Sequence, residues 1–247
     1  MRKPPPSPES IFAEYTRDWQ TAYGKELLSI VAYGSVARGE YRVGSSDINF
    51  LVLLTEAGIK TLRPAIELIE KWRPAHVAVP LLMTRAYIER SLDTFPIEFL
   101  GMRLHHQMVF GEDVLADLSI TKADLRLQIE REVKGKLLHL RENFLDLGND
   151  RNGLWRLLQQ SLPAFTALFE ALLYLRGQAI PAARREVIAA GAGVAGLDRG
   201  LFDKLLNVAN QESRPYRVEL LELFERYISQ IRELAGFVDG MEKAVSQ

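Results

Sequence analysis

The sequence contains no cysteine, which excludes a disulfide framework, zinc–thiolate sites and thiol nucleophiles and leaves any metal to oxygen or imidazole ligands. A reducing cytoplasm is compatible with that composition. Long apolar runs are missing as well, since none approaches the roughly 18 residues that a membrane helix requires. Met1-Arg2-Lys3 leads into Pro4-Pro5-Pro6-Ser7-Pro8 and not into an apolar stretch, so the chain reads as soluble, untargeted and cytoplasmic. Charge of one sign is also lacking. With 31 Lys and Arg against 32 Asp and Glu, the formal net charge of −1 provides no general field for a polyanion. A phosphate-bearing partner must then be attracted by a local site, and neither bulk nucleic-acid binding nor membrane association is expected.

What is present is the composition of a folding chain. Hydrophobic residues make up 47% and charged residues 26%, so 247 residues can bury one large core or two ordinary ones without a staple. Apolar residues at Ile11, Phe12, Tyr15, Trp19 and Tyr23 fall near helical spacing and predict a first helix after the prolines. Compact apolar runs over 27–33 and 48–54 predict buried strands. Helical spacing returns over 59–72, and the run 77–82 predicts a third strand, at a sheet edge because Pro80 lies within it. Thr84 is placed to cap a short helix to about Ser91, and short strands are expected over 97–100 and 107–110.

From Thr121 the character changes. Thr121-Lys-Ala-Asp124 resembles a capping box, and helices are expected over 121–147, 151–176, 182–191, 199–211 and 216–244, with a break at Ser213-Arg214-Pro215. The fold class is therefore α+β, with a small mixed sheet flanked by helices over 1–118 and an all-helical bundle over 119–247. The cleft between the two is the expected substrate site. Gly191, Gly193 and Gly196 superficially suggest a phosphate loop, but no strand precedes them, as a dinucleotide fingerprint requires.

The segment that carries chemistry runs from Ala32 to Val52 and joins strand to strand. Gly34 allows close approach of the backbone to a phosphate, and Ser35 opens a short helical turn whose N–H groups and hydroxyl can hold phosphate oxygens. Arg38 supplies a fixed positive charge. Alternation along the next strand points Asp47 and Asn49 to one side and Ile48 and Phe50 into the core.

This Gly34-Ser35 pair, the Ala37-Arg38-Gly39-Glu40-Tyr41 stretch and Ser46-Asp47 before the strand resemble the signature of the DNA polymerase β-like nucleotidyltransferase superfamily, including its aminoglycoside adenylyltransferase-like members. The likeness spans roughly residues 28–112. It implies that Gly34, Ser35, Arg38 and Ser46 bind the phosphates of an NTP such as ATP. It implies too that Asp47 and the residue at 49 hold Mg²⁺ or Mn²⁺, and that a third carboxylate on a later strand activates a hydroxyl acceptor, either a small molecule or a protein. Glu98 is the candidate third carboxylate, in a short apolar run that can pair beside the Asp47 strand, with Asp93 as substitute.

Asn49 departs from the signature, because an aspartate is expected there. An amide offers one oxygen without the charge that Mg²⁺ draws on, and two ions about 3.5–4 Å apart need anionic ligands to offset their repulsion. Three readings are open: a slower or Mn²⁺-preferring enzyme, a nucleotide binder without turnover, or compensation by a carboxylate such as Glu40. Of the remaining residues, Arg42 reads as a surface cation. Adjacent side chains on a strand face opposite ways, so His105 and His106 are not a metal pair by spacing, and His76 and His139 are isolated. Trp155, Phe165, Phe169 and Tyr174 read as helical core and not as a base-stacking surface.

Overall fold

The computed structural model describes residues 3–210 and 215–241, so the expected break at Ser213 and Arg214, and the expected extensions of the last two helices past 210 and 241, lie outside the described residues. Two compact units result, residues 1–120 and 121–247.

In the first unit, a short 3-10 turn at Pro8–Ile11 leads into α1 (Phe12–Tyr23). Strands β1 (Leu27–Tyr33), β2 (Asn49–Leu54), β3 (Leu81–Met83) and β4 (His106–Gly111) form a sheet in the order β3-β2-β1-β4. The sheet is mixed, because β1 pairs antiparallel with β2 and β4 while β2 pairs parallel with β3. β3 lies at the edge, directly after Pro80, where the missing N–H breaks no ladder. On one sheet face Ile30, Ala32, Phe50, Val52 and Leu54 pack with Tyr15, Trp19 and Tyr23 of α1 and with Ala65 and Trp72 of α2 (Arg63–Trp72). Tyr15 stacks on Phe50 at 4.1 Å and 18°, and the Trp72 indole donates to Asp18 at 2.8 Å. Val31, Leu51 and Leu53, of the opposite parity, are fully buried too, which is why β1 and β2 read as continuous apolar runs.

Thr84 caps α3 (Arg85–Arg90), accepting from the Tyr87 N–H at 3.2 Å. Residues 97–100, expected as a strand, instead belong to α4 (Pro96–Leu104). Pro96 sits in the first turn, where its absent N–H costs nothing, and Ile97, Leu100 and Leu104 are one helical face. Nearby Asp93 lies in the turn before α4, accepting from the Thr94 hydroxyl at 3.0 Å.

The second unit contains α5 (Lys122–Leu147), α6 (Arg151–Leu175), α7 (Arg184–Val194), α8 (Arg199–Ala209) and α9 (Arg217–Gly240). Thr121 caps α5 through the Asp124 N–H at 3.2 Å, and Asp150 and Asp198 cap α6 and α8. Phe165, Phe169, Phe202, Phe224 and Tyr227 are buried in its core; Phe169 meets Phe202 edge-on at 5.5 Å, and the Trp155 indole donates to Val208 O at 2.9 Å. Of the three glycines, Gly191 serves helix packing and Gly196 takes a positive φ of +69°. A β-carbon on Gly191 would come within 2.6 Å of the Phe169 side chain, so α7 can approach α6 only with glycine there. No described helix is long and apolar enough to cross a membrane.

Candidate active site at the end of the first two strands

The antiparallel register pairs Tyr33, the last residue of β1, with Asn49, the first of β2. Gly34 follows immediately with φ +74°, a conformation costly for any residue with a β-carbon, and turns the chain back over Asn49. An added β-carbon at Gly34 would lie 3.2 Å from Asn49 Nδ2. The Gly-Ser turn and the second position of the strand motif are thereby in contact, which no spacing argument could establish.

Beyond Gly34 the chain makes one helical turn. Arg38 N–H bonds Gly34 O at 3.1 Å, Gly39 N–H bonds Val36 O at 3.1 Å, and Glu40 N–H bonds Ser35 O at 2.8 Å. The last two bonds, with Gly39 at φ +69°, form a Schellman termination. Ser35, Val36 and Ala37 contribute the N–H groups of the first turn, before its ladder is closed, and buried Val36 roots the turn in the core. Ser35, Arg38 and Glu40 are half-buried.

A second turn precedes Asp47. Ser46 N–H bonds Arg42 O at 2.9 Å, and the Ser46 hydroxyl accepts from Arg42 N–H at 3.1 Å, so Ser46 closes this turn while its own proton is left to donate. Asp47 is exposed, as is Arg42, and Asn49 is half-buried. The Ile48 N–H bonds His76 O at 2.8 Å, and Ile48 O accepts from Ala78 at 3.0 Å, so His76 flanks Asp47 through a parallel bridge. His76 is also the one non-glycine at positive φ among the described residues, at 58°. Its isolation in sequence gave no sign of this placement.

The strand that would carry a third carboxylate beside Asp47 does not exist at Glu98. Glu98 lies exposed in the first turn of α4, where its charge suits the helix N-terminus, and β3, which does flank β2, is Leu81-Leu82-Met83. Among the described residues no group of three or more Asp, Glu or His side chains is placed to hold a metal ion. One carboxylate and one amide do not fit a two-ion centre. They do fit a single Mg²⁺ that arrives on nucleotide phosphates, since Mg²⁺ commonly takes one or two carboxylates and completes its shell with phosphate and water.

His106 opens β4 opposite Tyr33. Its Nδ1 lies 3.0 Å from Met102 O and its Nε2 3.0 Å from Asp113 Oδ2. The ring thus ties the end of α4 to the loop after β4. Burial pushes the Asp113 carboxyl up, but His106 and the N–H groups of Leu115 and Ala116 outweigh it and hold the group below the usual carboxylate range.

Residues 15–103 match the nucleotidyltransferase domain family. No curated protein matches the sequence. Among solved structures, the chain resembles spectinomycin adenyltransferase AAD(9) from Enterococcus faecialis, determined with ATP and spectinomycin, at a TM-score of 0.54 and 13% identity over 90% of this chain and 99% of that one. The matched residues run from within α1 through β1, the whole Gly34–Asp47 connection, β2 and β3 into α4. Over residues 15–103 the chain is thus similar to nucleotidyltransferase domains, and it shares its fold with an adenyltransferase.

Proposed function

We propose that the chain transfers an NMP group from an NTP, ATP in the first instance, to a hydroxyl of a small-molecule or protein acceptor. The observation that carries this reading is the contact of the Gly34 turn with Asn49, which brings the phosphate-holding turn and the Asp47 strand to one place. Asp47 would hold the Mg²⁺ or Mn²⁺ carried by the nucleotide through its carboxylate, Asn49 would add a neutral oxygen donor, and the ion would supply neutralisation of phosphate charge. Ser35 with the first-turn N–H groups, the Arg38 guanidinium and the Ser46 hydroxyl hold phosphate oxygens. The acceptor oxygen forms a bond to the α-phosphorus, the bond to the β-phosphate oxygen breaks, pyrophosphate leaves, and the hydroxyl proton is released. Positioning and charge neutralisation suffice for this chemistry, so a chain without cysteine is not at a disadvantage. The likeness to a protein determined with ATP and spectinomycin supports a small-molecule acceptor, and a soluble cytoplasmic setting belongs to the same reading.

A second reading is a nucleotide binder without transfer. Asn49 and the apolar β3 favour it, because together they leave Asp47 without another carboxylate on the flanking strands. Radiolabelled NTP incubated with candidate acceptors and with Mg²⁺ or Mn²⁺ separates the two. Label on an acceptor establishes transfer, binding by calorimetry without label establishes the binder, and absence of both removes the nucleotide site.

A further inference from the structure

The segment that precedes α1 has a role that the motif alone does not assign. The two turns of the Gly34–Asp47 connection each carry their own closing bonds, Ser35–Glu40 the Schellman pair and Arg42–Ser46 the bonds of Ser46. Between them lies Tyr41. Its ring packs partly buried against the core of the first unit, and its hydroxyl donates to Pro5 O at 3.0 Å. Pro5 and Pro8 are buried, while Pro4, Pro5, Pro6 and Pro8 restrict the segment before it docks, so the Pro5 carbonyl is presented at little entropic cost. The segment continues into α1, where Phe12 meets Phe50 edge-on at 5.8 Å and Tyr15 stacks on the same ring. Phe50 is the neighbour of Asn49. The proline segment, Tyr41 and β2 therefore converge on one packed path around the site.

We propose that Tyr41 is a positioning residue of the nucleotide site and that the proline segment is its anchor, setting the separation between the phosphate-holding turn at Ser35–Arg38 and the metal-facing end at Ser46–Asp47. This rests on the nucleotide reading above. Tyr41→Phe keeps the ring and removes only the hydroxyl, and Pro5→Gly keeps the carbonyl and loosens its support. Each is expected to weaken MgATP binding in calorimetry about five-fold, the weight of one ordinary hydrogen bond. Amide exchange should quicken at residues 39–46 without nucleotide, with the melting temperature of the whole chain little changed. In the double variant the losses should be less than additive, because both act through one contact. Wild-type affinity in Tyr41→Phe overturns the proposal, as does a loss of affinity that merely follows a lowered melting temperature. A wild type that binds no nucleotide defeats the nucleotide reading and with it any role in positioning one. Accelerated exchange at 39–46 in Tyr41→Phe would then show that the anchor itself holds the connection, and unchanged exchange would show that it does not.

Discussion

Gly34 and Asn49 touch: a β-carbon on the first would stand 3.2 Å from Nδ2 of the second. At φ +74° alanine is strained by about 1–2 kcal/mol, and its methyl would press the Asn49 amide out of place. Gly34→Ala should therefore lower the melting temperature modestly and weaken MgATP binding by more than the stability loss accounts for. Paired thermal melts and calorimetry check this. Wild-type affinity in a folded variant would separate Asn49 from the nucleotide.

The charge at position 49 can be changed at nearly constant shape. On the proposed reading, Asn49→Asp places a second carboxylate on the side that Asp47 faces, and without metal the two repel. Its melt should fall in chelator and recover when Mg²⁺ is added, whereas the wild type should respond less. A binder converted in this way should gain affinity for Mg²⁺ and detectable transfer, while an enzyme adapted to the amide should show equal or slower turnover. A melt indifferent to chelator and metal would mean that positions 47 and 49 do not face a common ion.

Asp47→Ala should abolish metal-dependent nucleotide affinity, a loss of tenfold or more, equal to about 1.4 kcal/mol. The fold should survive, because Asp47 is exposed. Glu98→Gln, on the exposed side of α4, should bind MgATP as the wild type does. A Glu98→Gln variant with lost affinity or turnover would restore Glu98 to the site despite its helix.

Among the described residues the buried Tyr15 hydroxyl and Trp19 indole N–H meet no hydrogen-bond partner of good geometry, and the nearby indole only partly offsets the burial that pushes the Tyr15 hydroxyl's pKa up. Removing an unsatisfied buried hydroxyl while keeping the ring should stabilise, so Tyr15→Phe is expected to raise stability by about 1 kcal/mol in denaturant unfolding. Destabilisation would reveal an ordered partner for that oxygen.

Asp113 gives the first unit a sign at low pH. Its carboxyl is held below the usual range in the folded state, so its contribution is complete above the ordinary carboxylate pKa and is lost as pH falls through the lower folded value. Asp113→Asn should flatten that part of the stability profile on the acid side of the ordinary carboxylate pKa. An unaltered acid limb would mean that the His106 contact carries no net stabilisation.

Local chemistry made much of this protein legible before folding. Leu27–Tyr33 and Asn49–Leu54 announce themselves because strands buried on both faces must be apolar throughout, and Pro80 announces an edge because it cannot donate. Thr84 and Thr121 mark helix starts because a cap acts within three residues. The same locality misled at Ile97–Leu100, where a short apolar run is common to strand and helix and the decisive sign was Pro96 at the first helical position.

The sequence by itself determined the α+β class, the Gly34-Ser35 pair and the replacement of an expected aspartate by Asn49 two residues after Asp47, because each depends on residue type and on neighbours a few positions away. Tertiary structure alone decided that Asn49 lies under Gly34, that His76 flanks Asp47, that β3 brings no carboxylate to β2, and that Tyr41 is tied to Pro5. Those relationships join residues far apart in the chain through strand register and docking, and register is set by the burial of whole faces, which no single segment encodes.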